Sequence, residues 1–243
     1  MIFHVRHVDE TDSTNRYLRS THPSPPTPHQ SQVVVADYQT AGCGQGTNSW
    51  ESERGKNLTF SIRVENMGIR ANRQFLLSMM VSVALTKTLS RYLPVPAAIK
   101  WPNDIYVGDR KICGILIEHT LLGDRIKSSI IGIGLNVNQT QFVSDAPNPV
   151  SMAMICGRQF DREQVLQDLL EDIGQMLEER DESQIRTAYL QQLYRSEGIF
   201  PYADAQGSFQ ARLMTVEDDG RLVLQDTAGL VRRYAFKEVS FVP

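Results

Sequence analysis

The sequence has little of several features that place a chain in a specialised class. Among its 243 residues are only three cysteines, Cys43, Cys113 and Cys156, an odd number without the spacing of a zinc site. Reduced thiols in a cytosolic protein are the simplest interpretation. No stretch approaches the roughly 18 consecutive apolar residues of a membrane-spanning helix, and the first residues lack the apolar core of a signal peptide. These absences predict a soluble, cytoplasmic protein without a membrane partner.

Positive charge is not in excess either. The 25 Lys and Arg against 28 Asp and Glu leave a formal net charge of -3. Nucleic-acid-binding domains usually carry a basic surface, so we expect no nucleic-acid partner. Hydrophobic residues make up 41% of the chain, which is ordinary globular composition, and the length suits one large domain with a small one.

Hydrophobic periodicity predicts a mixed α+β architecture. Strands are predicted at 2–8, 32–38, 58–64, 97–101, 104–107, 111–119 and 125–137. Helices are predicted at 71–93, 162–179 and 182–194. Asp12 or Ser13 is expected to cap a further short helix that reaches Leu18. We expect helix 71–93 to be mostly buried, and the helices to cover one face of a sheet whose other face binds a ligand.

Residues typical of loops and turns separate these strands and helices. The prolines of 21–31 and the polar residues of 142–150 predict surface loops. The turn at 108–110, Gly-Asp-Arg, is predicted to join its neighbouring strands as a hairpin.

The composition changes near 196–202, where short strands and turns replace helices. The turns Asp218-Asp219-Gly220 and Thr227-Ala228-Gly229 are hairpin signals. We therefore predict a main domain at 1–195 and a small β-barrel or sandwich at 196–243. No helix-turn-helix motif precedes the first predicted strand.

The segment Gly42-Cys43-Gly44-Gln45-Gly46 has the composition of a ligand-binding loop. Glycine allows close approach of the backbone to a ligand, and successive N–H groups can bind phosphate oxygens. It is neither a dinucleotide fingerprint, because no helix follows, nor a P-loop, because no Gly-Lys-Ser/Thr ends it. A phosphate-binding loop and a mobile loop at the edge of a sheet both remain open.

Two lysines stand next to apolar residues at the ends of predicted strands. Either Lys100 or Lys111 alone is explained by a surface position with its ammonium group in water. Together with Asn103, Asp104 and the glycine loop, they form what a polyphosphate and a carboxylate require. Asp104 and Glu118 are the candidate ligands of a magnesium ion.

Neutral polar residues form a second candidate cluster. Ser13, Thr14, Asn15 and the more distant Gln39 supply donors and acceptors without charge, which suits a ligand group such as a urea. Capping of the short helix would explain Ser13 fully, but it would not explain Thr14 and Gln39.

Six short motifs of the chain resemble those of the biotin protein ligases. They are, in chain order, Asp12-Ser-Thr-Asn, Tyr38-Gln-Thr-Ala-Gly, Ser49-Trp50, Lys100-Trp-Pro-Asn-Asp, Arg110-Lys-Ile-Cys-Gly-Ile-Leu-Ile-Glu and Gly132-Ile-Gly-Leu-Asn. The likeness covers nearly the whole chain and is closest to the short form without a DNA-binding domain. It implies a class II synthetase-like, biotin–lipoyl ligase fold, in which a central mixed sheet with helices precedes a small SH3-like β-barrel.

The resemblance implies a two-step acyl transfer. Biotin as substrate reacts with ATP, with Mg²⁺ present, to give biotinyl-5′-AMP and pyrophosphate. A lysine of a biotin carboxyl carrier protein, the expected partner, then attacks this mixed anhydride. The chain is expected to act as a monomer or a homodimer.

The site residues implied by the resemblance fall into three groups. The biotin-binding group is Ser13, Thr14, Asn15, Gln39, Gly42, Cys43, Gly44, Lys111, Gly114 and Ile115. The adenylate-binding group is Gln45, Trp50, Asn103, Gly134 and Asn136. Lys111, beside the carboxylate and the α-phosphate, and Lys100, near the phosphates, form the catalytic group. Metal ligands are not assigned beyond Asp104.

The glycine loop departs from the family pattern. Cys43, Gln45 and Asn48 stand where relatives commonly have arginines, one of which helps to retain the adenylate. A charge-assisted hydrogen bond contributes enough that its loss weakens retention by about ten- to a hundredfold. We therefore predict faster escape of the adenylate unless Arg54, Lys56 or another residue compensates.

Two other functions remain in competition. A nucleophilic Cys43 would fit a lipoate ligase or an octanoyltransferase, which share the fold. A non-catalytic protein or regulator that binds biotinyl-adenylate is the second alternative. The urea-type polar cluster and the SH3-like tail favour biotin, and the negative net charge argues against contact with DNA.

Overall fold

The structure is a computed structural model that describes residues 1–21, 29–143 and 148–242. The proline-rich loop predicted at 21–31 and the polar loop predicted at 142–150 lie partly outside these ranges. No helix within them is long and apolar enough to cross a membrane.

The main sheet has seven strands. They are β1 (Ile2–Thr11), β2 (Gln30–Gln39), β3 (Leu58–Glu65), β4 (Ala97–Lys100), β5 (Asp104–Val107), β6 (Arg110–Leu122) and β7 (Arg125–Leu135). Their order across the sheet is β1-β2-β3-β7-β6-β5-β4, with β1 and β2 parallel and the other neighbours antiparallel. The predicted mixed sheet and the hairpin between β5 and β6 are confirmed. Gly108 opens that turn with a φ of 57°, a left-handed conformation that glycine adopts without strain.

Five α-helices accompany this sheet in the described ranges. They are α1 (Thr14–Ser20), α2 (Phe75–Tyr92), α3 (Met152–Cys156), α4 (Arg162–Glu179) and α5 (Glu182–Gln191). The bounds of α4 agree with the predicted helix, and the side chain of Asp161 caps it by accepting hydrogen bonds from Glu163 N and Gln164 N. α3 was not predicted because five residues are too few to establish a helical period.

The principal core lies between the sheet and helices α2 and α4. Successive side chains of a strand point to opposite faces, so Phe60 and Ile62 of β3 point into this core. They pack in the same cluster as Met79, Met80 and Leu85 of α2, all of which are fully buried or nearly so. The prediction that α2 is mostly buried is confirmed.

The opposite face of the sheet carries α1. Ser61 points to this side, and its Oγ lies 2.7 Å from Thr14 Oγ1 and 2.6 Å from Asn15 Oδ1. The expectation that all helices share one face is therefore wrong for α1. Ser61, which lies between Phe60 and Ile62 in β3, thus connects the strand to this helix by hydrogen bonds.

The C-terminal region forms a second antiparallel sheet. Its strands are β8 (Phe200–Asp204), β9 (Gly207–Val216), β10 (Leu222–Asp226), β11 (Val231–Tyr234) and β12 (Val239–Phe241), in the order β11-β10-β9-β8-β12. This sheet agrees with the small β domain expected after residue 195, while the boundary itself stays a prediction.

The second sheet packs against the first. Its buried side chains, such as Leu222 and Leu224, belong to the same continuous apolar cluster as the main core. Trp101 Nε1, just after β4, donates a 2.8 Å hydrogen bond to the carbonyl of Gly220 in the hairpin between β9 and β10. This contact places the C-terminal sheet beside the ends of the central strands.

Candidate active site

A cavity of about 340 Å³ lies between the α1 side of the main sheet, the glycine loop and the C-terminal sheet. Fourteen of the predicted site residues line it: Ser13, Thr14, Asn15, Gln39, Cys43, Gly44, Gln45, Trp50, Asn103, Asp104, Lys111, Gly114, Ile115 and Gly134. Gly42, Lys100 and Asn136 do not line it. The cavity is within the size range of small-molecule sites.

One end of the cavity is neutral and polar. Gln39 Oε1 accepts hydrogen bonds from Thr14 N at 2.8 Å and Thr14 Oγ1 at 3.1 Å. Ser13 occupies the N-cap position of α1, but its side chain makes no capping hydrogen bond, so the predicted capping role of its hydroxyl is wrong. That hydroxyl has no partner among the described residues. It is a free donor and acceptor beside Thr14.

Glycines form the floor of the cavity on β6 and β7. A β-carbon at Gly134 would lie 2.3 Å from the Trp50 indole, and one at Gly132 would lie 2.3 Å from Asn15 Oδ1. Gly114 pairs with Gly134 across the two strands and leaves room for the other edge of the same indole. The absence of side chains at these positions allows Trp50 and Asn15 to lie directly on the sheet.

Three buried polar groups near the cavity lack partners among the residues that the structure describes. They are Trp50 Nε1, Gln45 Oε1 and Asn136 Oδ1. A buried polar group without a partner costs about 1–3 kcal/mol, so such groups beside a cavity indicate a polar ligand. Asn136 lies behind the lining, where its Nδ2 donates to the carbonyl of Val150 at 3.1 Å.

The glycine loop folds back on itself as a narrow hairpin. Trp50 N donates to Gly42 O at 2.9 Å, and Gly44 N donates to Asn48 O at 2.7 Å. Gly42 approaches the opposite strand so closely that a β-carbon would lie 2.6 Å from Trp50 O. Gly46 turns the chain at the tip with a φ of 70°. Glycine at these two positions is thus required by close approach and by a left-handed backbone.

An ion pair lies at the centre of the cavity. Lys111 Nζ is 2.7 Å from Asp104 Oδ1 and 5.7 Å from the centre of a Trp50 ring. Burial raises the pKa of Asp104, and the charge of Lys111 partly opposes this effect. The ammonium group of Lys111 therefore has a carboxylate partner before any ligand binds.

Lys100 lies beside the cavity, in an aromatic enclosure. Its Nζ is 4.3 Å from the ring centre of Tyr106, 5.4 Å from that of Phe241 and 5.7 Å from that of Tyr194. Burial lowers the pKa of this amine, and the charge of Asp104 opposes the shift. Phe241 belongs to β12 and also lines the cavity, so Lys100 connects the central sheet with the C-terminal one.

The cysteine of the glycine loop has a cationic neighbour. Arg16 Nη2 lies 3.3 Å from Cys43 Sγ, and Arg16 also pairs with Asp12 at 3.3 Å. Cys113 is fully buried in β6, where burial raises the pKa of its thiol. Only the first of these two thiols faces the cavity.

A metal ion has few candidate ligands here. Within the described ranges, no group of three or more His, Cys, Asp or Glu side chains is arranged to hold one. Glu118 does not line the cavity and is bound by Arg19 and by Asn15 Nδ2. Asp104 remains the carboxylate in the cavity, which suits magnesium, an ion usually held by one or two carboxylates together with substrate phosphates.

Residues of the turn between β11 and β12 also line the cavity, and the sequence analysis did not identify them. They are Phe236 and Lys237. Arg54, one residue considered as a replacement for the loop arginines, instead stacks on Tyr38 at 4.7 Å and pairs with Glu10. Because Lys237 is nearly two hundred residues from the glycine loop in the chain, no local pattern connects the two.

Comparison with known proteins gives a consistent result. A model of the biotin/lipoate A/B protein ligase family matches residues 8–136. The bifunctional ligase/repressor BirA of Bacillus subtilis is 30% identical over 218 residues, which cover 85% of this chain and 65% of that protein. BirA of Escherichia coli K12 is 28% identical over 194 residues, which cover 79% of this chain and 54% of that protein. The chain thus spans between about half and two thirds of these relatives.

A solved structure of biotin protein ligase from Aquifex aeolicus in complex with biotin and ATP has a similar fold. The TM-score is 0.79 at 24% sequence identity, and the match covers 97% of both chains. The likeness includes the C-terminal sheet, which supports the predicted fold class over the whole chain.

Proposed function

The chain belongs to the biotin/lipoate A/B protein ligase family, and we propose that it is an ATP-dependent biotin protein ligase of the cytoplasm. The observation that carries the proposal is the single cavity with a neutral polar end and a charged centre. Ser13, Thr14 and Gln39 form the neutral end, and Lys111 with Asp104 forms the centre. A urea group and a carboxylate at the two ends of biotin match this arrangement.

The neutral end suits the ureido ring because its groups are hydrogen-bonding and uncharged. The Ser13 hydroxyl donates to the urea oxygen, and a urea N–H group competes with Thr14 for Gln39 Oε1, the oxygen that accepts from Thr14 when no ligand is bound. Ser13 and Thr14 are each 4% exposed, so the ring is removed from water here. A binding site built to pair with polar ligand groups discriminates strongly against analogues that lack them.

The first step forms the mixed anhydride. An oxygen of the biotin carboxylate attacks the α-phosphorus of ATP, the bond to the bridging oxygen breaks, and pyrophosphate leaves. Lys111 neutralises the negative charge that develops as two anions meet, and its half-buried position strengthens that interaction. Mg²⁺, when bound with the nucleotide, supplies further neutralisation of phosphate charge, and Asp104 is the carboxylate placed to hold it.

The second step needs no nucleophile from this chain. The ε-amine of a lysine in a biotin carboxyl carrier protein attacks the acyl carbon of the anhydride, an amide forms and AMP leaves. The ligase contributes position and charge compensation, which together supply much of the acceleration of such transfers.

ATP–pyrophosphate exchange tests this proposal directly. Wild-type protein with magnesium is assayed in parallel with biotin, with lipoate and without an acid. Exchange that depends on biotin supports the ligase, whereas exchange with lipoate alone moves the protein to the sister branch of the family. No exchange with either acid contradicts the proposed reaction.

Lys111→Ala gives a matched test of the central cation. We expect exchange with biotin to fall by at least a hundredfold, because the removed ammonium group acts on charge that develops in the reaction. Lys127→Ala on the exposed side of β7 is the control and should retain wild-type exchange. Unchanged exchange in Lys111→Ala contradicts the assigned role.

A second candidate function follows from the contact between Cys43 and Arg16. A guanidinium group beside a thiol is the kind of neighbour that activates a nucleophile, as an octanoyltransferase would require. Cys43→Ser decides between the two. A ligase without a protein nucleophile retains exchange and transfer in this variant, whereas an acyl-thioester mechanism loses activity.

A further inference from the structure

The C-terminal sheet contributes a charged residue to the cavity. The turn from Ala235 to Glu238 is closed by two hydrogen bonds, from Ala235 N to Glu238 Oε2 at 2.7 Å and from Glu238 N to Ala235 O at 3.1 Å. Lys237 inside this turn has a φ of 69°, which is uncommon for a residue with a side chain. The turn thus holds the lysine backbone in a defined conformation at the mouth of the cavity.

The side chain of Lys237 reaches the tip of the glycine loop. A β-carbon at Gly46 would lie 2.7 Å from Lys237 Nζ. The side chain of any residue other than glycine at position 46 would therefore collide with this ammonium group. Glycine leaves room for the ammonium group because it has no side chain. Gln45, the neighbour of Gly46, has a buried side-chain oxygen with no partner in the described part of the chain.

The charges of the cavity leave Lys237 uncompensated. The charged residues among its described lining are Asp104, Lys111 and Lys237. The first two neutralise one another at 2.7 Å, and no carboxylate of the described residues lies within ion-pair distance of Lys237. The ammonium group at the loop tip is thus available to an anionic ligand.

The first cavity adjoins a second cavity of about 410 Å³, with which it shares Gln45, Asn103 and Phe236. Two adjoining cavities of this size accommodate a ligand pair larger than biotin alone. An anion in the first cavity meets Lys111 on the main sheet and Lys237 at the tip of the glycine loop, because both lysines line that cavity.

We propose that Lys237 binds the phosphates of the nucleotide, so that the C-terminal sheet supplies the second cation of the nucleotide site. This inference rests on the proposed function, in which ATP is a substrate. It places a cation beside a glycine loop that has no basic side chain, at the phosphates that leave as pyrophosphate, so Lys237 does not help to retain the adenylate. Lys111 serves the reacting carboxylate and α-phosphate, and Lys237 serves the polyphosphate on the opposite wall.

Lys237→Met tests the inference, with Lys237→Arg as the conservative variant. With saturating biotin, we expect the KM for ATP in pyrophosphate exchange to rise about ten- to a hundredfold in Lys237→Met. The arginine variant should stay within about threefold of wild type, since the charge is retained. The KM for biotin should change by less than about twofold in both variants. Lys127→Met, an exposed lysine outside the cavity, is the matched control.

A direct titration with ATP, without biotin, separates this inference from the proposed function. Weaker ATP binding by Lys237→Met than by wild type supports the phosphate contact even where exchange with biotin fails. If the wild-type protein catalyses exchange with biotin and Lys237→Met has the same KM for ATP, the phosphate contact is overturned and the ligase assignment stands. Wild-type protein that neither binds ATP nor exchanges overturns both.

Two further readouts exclude other roles for Lys237. If Lys237→Met changes only the KM for the carrier protein, the lysine contacts the protein partner, and phosphate binding is overturned.

Gln45→Arg combined with Lys237→Met returns a cation to the loop tip and should recover part of the ATP affinity. Thermal unfolding should be unchanged in Lys237→Met because the side chain is exposed.

Discussion

The pair formed by Lys111 and Asp104 has the largest consequences of any contact in the cavity. Removing a charge from water is costly unless a partner compensates it, and each of these residues is the partner of the other at 2.7 Å. An incoming carboxylate or phosphate competes with Asp104 for Lys111. The ammonium group can change partners without being left unpaired, since an anion is present in both states.

Loss of Lys111 should therefore make stability depend on pH. Burial raises the pKa of Asp104, and Lys111 opposes this shift, so Lys111→Ala should raise the pKa further. A carboxyl group whose pKa is higher in the folded state binds more protons there, and stability falls as pH rises from the unfolded pKa through the folded one. We expect the variant to lose more thermal stability at pH 8 than at pH 5, measured against wild type.

Asp104→Asn in the Lys111→Ala background is the control for this prediction. The double variant has no carboxyl group at the site, so the difference from wild type should become nearly independent of pH. A loss of stability in Lys111→Ala that is equal at both pH values contradicts the stated coupling.

The contact between Gly134 and Trp50 provides a second residue-scale prediction. Gly134→Ala places a methyl group where the indole lies 2.3 Å away, so the ring or the strand has to move. We expect a loss of about 1–3 kcal/mol in the free energy of unfolding and a weaker binding of biotin and ATP. Chemical denaturation and exchange kinetics measure the two effects.

A double-mutant cycle shows whether the indole is the cause. In the Trp50→Ala background the methyl group meets no ring, so Gly134→Ala should then cost less than about 0.5 kcal/mol. An equal cost in both backgrounds would assign the effect to the backbone of β7 and not to the contact.

At the scale of elements, β3 divides the molecule into a stabilising side and a binding side. The alternation of its side chains sends Phe60 and Ile62 into the apolar core and Ser61 to the helix that carries Thr14 and Asn15. A single strand thus anchors the polar end of the cavity to the buried apolar core. Rigid support of this kind keeps binding groups in position before the ligand arrives.

The glycine loop is the element whose sequence departs from the pattern expected for the family. Its hairpin is held by backbone hydrogen bonds, but it carries Gln45 at a position where we expect arginine in the family. We predict that wild-type protein with biotin and ATP releases biotinyl-AMP into solution, and that Gln45→Arg lowers the release rate about ten- to a hundredfold. Single-turnover filtration of the enzyme–adenylate complex measures both rates. Tight retention by the wild type contradicts the prediction.

At the scale of the whole molecule, the two sheets share one apolar core. Leu77 of α2 and Leu224 of β10 are both fully buried and belong to the same continuous cluster. Separate domains with separate cores unfold independently, whereas a shared core couples them. We therefore expect one cooperative unfolding transition for the protein.

Leu77→Ala and Leu224→Ala test this coupling. Each should lower the midpoint of the same single transition, at a cost of about 2–5 kcal/mol for a buried leucine. Leu230→Ala, at a position 59% exposed in the turn between β10 and β11, is the control and should change little. A calorimetric trace in which Leu224→Ala melts a separate unit ahead of the rest contradicts the shared core.

Much of the fold follows from patterns that act over a few residues. The seven strands of the main sheet, the hairpin at Gly108 and helix α4 were predicted because alternation, turn residues and helical periodicity are local properties. The resemblance to the biotin protein ligases likewise predicted fourteen of the residues that line the cavity. The five-residue helix α3 was not predicted because it is shorter than two turns and shows no helical period.

The sequence by itself determined most of the elements and the composition of the polar end, since these depend on neighbours in the chain. Only the tertiary structure decided which face carries α1, that the Ser13 hydroxyl does not cap this helix, that aromatic rings enclose Lys100, and that Lys237 reaches the loop tip. The physical reason is that strand register and the burial of apolar faces determine which distant surfaces meet. Those determinants are properties of the whole chain and leave no mark on any short stretch of it.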